Sequence, residues 1–161
     1  MPTYVKMTSQ SFGEIFANCN TDKSAGRNAN APLGPDYSLV DSFGNTVITQ
    51  GEGRLLHFNW EFYMTVPAYP SAKSALYNVL NHRDVITEME IITVTRAGYS
   101  GANTNIERYT CKNGRIMTLG TSSAQGNDGK IGELSLSIDF EHMIHDNLET
   151  NTSGELRTTT V

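Results

Sequence analysis

From Leu56 to Val66 the apolar residues fall at every second place, with Leu56, Phe58, Trp60, Phe62, Met64 and Val66 alternating with His57, Asn59, Glu61, Tyr63 and Thr65. Period two is the spacing of a strand that buries one face. Pro67 and Pro70 end the run, because proline cannot donate to a ladder and disfavours helix in the residue before it. A helix is expected to follow from an N-cap at Ser71, with Ala72, Ala75, Leu76, Val79 and Leu80 forming one apolar stripe. An apolar strand face and an apolar helix stripe bury each other most simply as a helix laid on a sheet.

The rest of the chain reads mainly as β. Thr3–Ser9 alternates Val5 and Met7 with polar residues and is expected to open the fold as a strand. Residues 18–53 are rich in Asn, Gly, Ser, Asp and Pro, with only Tyr37–Val40 and Thr46–Thr49 strand-like. A polar connection of that length is expected to be an arm ordered by another subunit, the alternative being a floppy surface loop, since Leu33, Tyr37, Leu39, Val40 and Phe43 would be wasted on water. In Asp84–Ala97, Met89, Ile91, Ile92 and Val94 suggest a strand whose buried face changes near Ile91, with Glu88 and Glu90 opposite Met89. In Ile106–Thr121, Asn113-Gly114 is a hairpin signal, the alternative being one long strand with a glycine bulge. Lys130–His142 is the second clear strand: Leu134, Leu136, Ile138 and Phe140 alternate with Glu133, Ser135, Ser137, Asp139 and Glu141. The tail from Asp146 to Val161 is expected to fray.

The 161 residues suit a single domain, and 38% hydrophobic content is ample for a core. Twelve basic against 17 acidic residues give a net charge of -5, which argues against a protein that grips a phosphate backbone. Cys19 and Cys111 are expected to be free thiols. With no leader and no apolar run near the roughly 20 residues that span a bilayer, a soluble protein made in the cytoplasm is expected, with no membrane partner.

No catalytic constellation emerges. His142 and His145, with Asp139, Glu141 and Asp146 nearby, have metal-ligand chemistry, but positions three apart on a strand point to opposite faces. Cys111 beside Lys112 has the makings of a reactive thiol, although a buried strand cysteine is the commoner case. There is no phosphate-binding glycine motif before a helix, and neither Glu88 nor Glu90 stands out as an acid or a base. No enzyme, metal or cofactor is therefore expected. What does stand out is that the polar faces of the two best strands are acidic or small and contain no lysine.

The order of elements resembles the phage tail tube proteins and the haemolysin-coregulated tube protein (Hcp) of type VI secretion, which share one fold. TYVKMTSQSFGE, FNWEFYMTVPAYPSAKSALYNVLNHRD, MEIITVTRAG and GTSSAQGNDGKIGELSLSIDFEHM carry the likeness. The resemblance implies a single mainly β tube domain, sandwich or barrel-like, with one short helix on the sheet and a long loop near the N-terminus. It also implies homohexameric rings that stack into a tube.

Under it, Asn59, Glu61, Glu88, Glu90, Glu133, Ser135, Ser137 and Asp139 would line the lumen. Arg27, Leu33, Tyr37, Val40 and Phe43 would join rings, and Leu76, Val79 and Leu80 would pack on Phe58, Trp60 and Phe62. An acidic lumen would let DNA slide, so the expected role is the tail tube of a contractile phage virion, partnered by sheath, tape measure and baseplate proteins. A type VI inner tube is the alternative, and a monomeric β-barrel binding module a second one.

Overall fold

The computed structural model describes residues 2–17, 36–45, 49–50, 58–59, 61–97, 102–122 and 132–157. The chain is mainly β. Its elements are β1 (Thr3–Ser9), β2 (Gly13–Glu14), β3 (Ser38–Val40), β4 (Ser42–Asn45), β5 (Thr49–Gln50), β6 (Phe58–Asn59), β7 (Glu61–Pro67), α1 (Pro70–His82), β8 (Ile86–Ala97), β9 (Ala102–Thr121), β10 (Glu133–Asn147) and β11 (Thr152–Arg157). One antiparallel sheet runs β2-β1-β8-β9-β10-β7-β4, with β11 added to β10 and β3 added to β1. Because β3 and β4 are separated only by Asp41, this bent segment pairs with β1 and then with β7. Its Asp41 amide also donates to the Thr65 carbonyl at 2.8 Å, beside the first of the β4–β7 pairs. β5 and β6 pair separately.

The alternation in β7 translates directly into packing: Phe62, Met64 and Val66 are buried, while Tyr63 is exposed. Leu134, Leu136, Ile138 and Phe140 of β10 enter the same core, with Val5 and Met7 of β1 and Ala72, Leu76 and Val79 of α1. Trp60 and Leu56 lie outside the described residues, and Phe58 is described by its backbone alone.

Three expectations need correction, and one open alternative is decided. The helix starts at Pro70, after a cap position at Tyr69, and not after Ser71. Proline suits the first helical position, where its missing N–H would have had no partner and its fixed φ is already helical. Leu80 is 37% exposed at the rim of the stripe, since the buried arc covers only Ala72, Leu76 and Val79. Of the two readings of Asn113-Gly114 the single long strand holds: β9 is one 20-residue strand, with Asn113 at φ 56 inside it. The tail does not fray as far as Arg157, because Asn147 Oδ1 accepts from the amides of Glu149 and Thr150 and turns the chain into β11. Among the described residues of the arm, Val40 is buried in the core and Phe43 packs against it, while Tyr37 and Leu39 pack on a second apolar cluster.

A coordinated break in alternation crosses three strands. Ile86, Gly114 and Phe140 form one row facing the core, and Met89, Cys111 and Met143 form the next, three positions away on each strand. The pairing keeps one register across this break, so the three strands share it and none bulges against its neighbour. Gly114 is required there, because a Cβ would stand 2.2 Å from Phe140 Cε1.

Candidate functional site

The outer face of β7 and β10 brings several of the anticipated polar residues together. Ser135 stands opposite Thr65, Ser137 opposite Tyr63, and Asp139 opposite Glu61. Glu133 continues the row opposite Pro67. Two hydroxyls converge on Glu61: Tyr63 donates to Oε2 at 2.7 Å and Ser137 donates to the same oxygen at 3.2 Å. The bond to Glu61 and that carboxylate's charge raise the Tyr63 phenol above its usual range. Asp139 Oδ1 is buried without a hydrogen-bond partner among the described residues. Burial first, and the charge of Glu61 second, push the Asp139 carboxyl upward. Ser137 is itself buried and works as a donor beneath the face rather than as part of its surface.

Other anticipated residues lie elsewhere. Asn59 belongs to the separate β5-β6 pair. Glu88 and Glu90 are on β8, which β9 separates from β10. Their surroundings are of mixed sign, with Lys112 opposite Glu88 and Lys6 opposite Glu90. Tyr37 donates to Glu90 at 2.9 Å and packs beside Tyr4, Ile92 and Val94 in a second, smaller apolar cluster. Burial, then the bond to Glu90, raises its phenol pKa. Arg27, Leu33 and Cys19 lie outside the described residues.

Sequence alternation missed the bases near this surface, because it reads one strand at a time. Arg115 pairs in register with Asp139, yet its guanidinium donates to the Arg83 carbonyl at 2.8 Å, at the helix end. Arg108 donates to Asp146 through Nε and Nη2, at 3.2 and 3.0 Å. The two histidines take separate carboxylates, His142 with Glu155 at 2.7 Å and His145 with Glu107 at 3.5 Å. Among the described residues no group of His, Cys, Asp and Glu could hold a metal. Burial raises the Cys111 thiol far above its usual range, so it is an inert core residue. Among the described residues no helix is long and apolar enough to cross a membrane.

Comparison with solved structures adds what register alone cannot. An Hcp protein superimposes with a TM-score of 0.73 at 16% identity, over 98% of this chain and 99% of that one. Its fold is that of the Hcp proteins. Hcp3 from Pseudomonas aeruginosa gives 0.76 at 14% identity over 97% and 99% of the two chains, and Hcp1 from E. coli EAEC 042, a double mutant, gives 0.70 at 9% over 98% and 99%. A type VI secretion system effector from Yersinia pestis shares the Hcp fold at a TM-score of 0.59 and 11% identity, over 96% and 98% of the chains. No family model and no curated protein matches the sequence. At these identities the likeness is one of backbone architecture, and it runs through the whole Hcp fold rather than one motif.

Proposed function

We propose that this protein is the inner tube subunit of a contractile injection system of the type VI kind, assembling as stacked hexameric rings. The observation that carries this reading is the end-to-end correspondence with Hcp3, over 97% of one chain and 99% of the other. The Hcp and type VI descriptions of the neighbours favour this over the phage tail tube, which had been the first expectation. In the assembly the outer face of β7 and β10, with Glu61, Glu133, Ser135 and Asp139, forms the lumen wall. A carboxylate and hydroxyl wall presents charge and water to a passing cargo and offers it no apolar patch to stick to. A sheath surrounds the tube and a baseplate begins it.

Light scattering and negative-stain microscopy of the purified protein test the reading. Six-fold rings or tubes support it. A solitary 17.7 kDa particle at all concentrations overturns it.

A further inference from the structure

Asp139 stands between two residues of opposite charge. On one flank β7 sets Glu61 opposite it, and on the other β9 sets Arg115 opposite it. Residues paired across antiparallel strands share a face, with Cβ atoms roughly 4.5–5.5 Å apart, so both side chains are within reach of the Asp139 carboxyl. Tyr63 lies diagonally across on β7, where the charge of Asp139 adds to the rise of its phenol pKa, and Glu141 follows two places on along β10.

Arg115 does not use that position. Its guanidinium donates to the Arg83 carbonyl at 2.8 Å, in the turn that carries the chain from α1 into β8. Two local features let it reach there. β8 follows β9 no further than the pair Ile86 and Gly114, so no strand lies beside Arg115 on that flank among the described residues. Two residues on, the register with β10 shifts and leaves Met117 of β9 as an extra residue, and a bulge of this kind twists its strand and re-aims the side chains beside it. Asp139 is left with one oxygen buried and undonated, while Glu61 opposite takes the hydroxyls of Tyr63 and Ser137.

This arrangement suits a protonated Asp139. An ionised one would face the Glu61 carboxylate with its own cation turned away. A protonated one has an O–H to donate and a carboxylate opposite to receive it. Burial and the charge of Glu61 both favour that proton. Once the proton leaves, the balance at Arg115 reverses, because a guanidinium binds a carboxylate more strongly than a neutral backbone carbonyl, and its bond to Arg83 is exposed to water.

We infer that Arg115 is a two-position arm worked by the protonation of Asp139: it lies on the Arg83 carbonyl while Asp139 is protonated and swings to the Asp139 carboxylate when the proton is lost. The arm links two faces of the molecule. In its first position the guanidinium sits with Leu80, Arg83 and Met117 in a groove of about 540 Å³ between the helix end and β9, and in its second the groove loses that charge. The outer face of β7 and β10 keeps the same net charge in both, because the cation arrives as the proton departs. The arm belongs to a single chain, so it stands or falls apart from the tube reading.

Nuclear magnetic resonance of protein labelled at the aspartate carboxyl carbons and the arginine Nε atoms follows both partners from neutral pH into acid. Asp139→Asn and Arg115→Gln assign the two signals by their loss. In the parent, the Arg115 Nε–H signal is expected to shift with the same midpoint as the Asp139 carboxyl, and in Asp139→Asn to keep its acid position throughout. Arg115→Gln is expected to raise the Asp139 midpoint by about half a pH unit, the scale of an exposed ion pair. An Arg115 signal that does not follow Asp139, or an Asp139 midpoint unchanged in Arg115→Gln, overturns the inference. Neither result bears on ring formation, which light scattering on the same samples reads separately. Should Arg115→Gln fail to fold, as judged by circular dichroism, Arg115→Lys takes over the assignment and the Arg115 signal in the parent and in Asp139→Asn decides.

Discussion

Glu61 and Asp139 stand directly opposite one another on β7 and β10, and they are treated unequally. Glu61 receives two hydroxyls, whereas Asp139 has one oxygen buried with no donor. One carboxylate is thus solvated by the protein and the other is left to repel it.

The fold favours the protonated form of Asp139, whose folded pKa is raised. Its ionisation costs stability at neutral pH, and that cost fades as pH falls through the folded value to the unfolded one. Asp139→Asn is expected to stabilise the protein near pH 7 by about 0.5 kcal/mol, the scale of a like-charge cross-strand pair. In acid the gain should vanish. Urea denaturation of parent and variant at the two pH values checks this, and a loss of stability at neutral pH would contradict it.

Asp146, further along the same strand, is shifted the other way by the Ser153 hydroxyl and then by Arg108. Its folded pKa is depressed, so its contribution is present above the unfolded carboxylate value and lost as pH falls through the folded one. Asp146→Asn is expected to cost up to about 1 kcal/mol at neutral pH, the scale of a part-exposed ion pair. The difference from the parent should shrink in acid, the reverse of the change at Asp139.

Where the alternation breaks, Gly114 lies under the ring of Phe140. Gly114→Ala is expected to destabilise by roughly 2 kcal/mol through overpacking. In the Phe140→Leu background the same change should cost clearly less, since the atoms it meets are gone. A double-mutant cycle by chemical denaturation measures that coupling, and additive effects would show that Gly114 serves the backbone alone.

The two leucines of α1 should separate cleanly. Leu76 is fully buried, and Leu76→Ala is expected to cost about 2–5 kcal/mol, the transfer and cavity terms together. Leu80→Ala should lower monomer stability by less than about 1 kcal/mol, as for exposed positions. Thermal melts of the two variants compare them.

Cys111 is closed off inside the core. In a Cys19→Ser background, a thiol reagent at mildly alkaline pH is expected to label nothing in the native protein and one thiol after denaturation. Rapid native labelling would show that the core around β9 opens.

Period-two patterning located β1, β7 and the first half of β10, because each buries one face and exposes the other. In β8 the change of buried face near Ile91 was also legible, since Ile91 and Ile92 are adjacent and enter different clusters, but strict alternation failed in β9 and the second half of β10, where core-facing residues stand three positions apart. The helix stripe was legible, but its first residue was not: Pro70 reads as a breaker until the start of a helix is placed on it. The tail looked like loop because the Asn147 turn that folds it back acts through a side-chain oxygen, which composition does not reveal.

Within this chain, alternation alone determined which side of β7 and β10 is apolar, since a strand has only two faces and the apolar one must leave water. That an acid lies opposite an acid, that Lys6 and Lys112 stand against Glu90 and Glu88, and that Arg115 stands against Asp139 was decided by register. Register is a relation between strands distant in sequence, set by the packing of the whole core, and no single segment contains it.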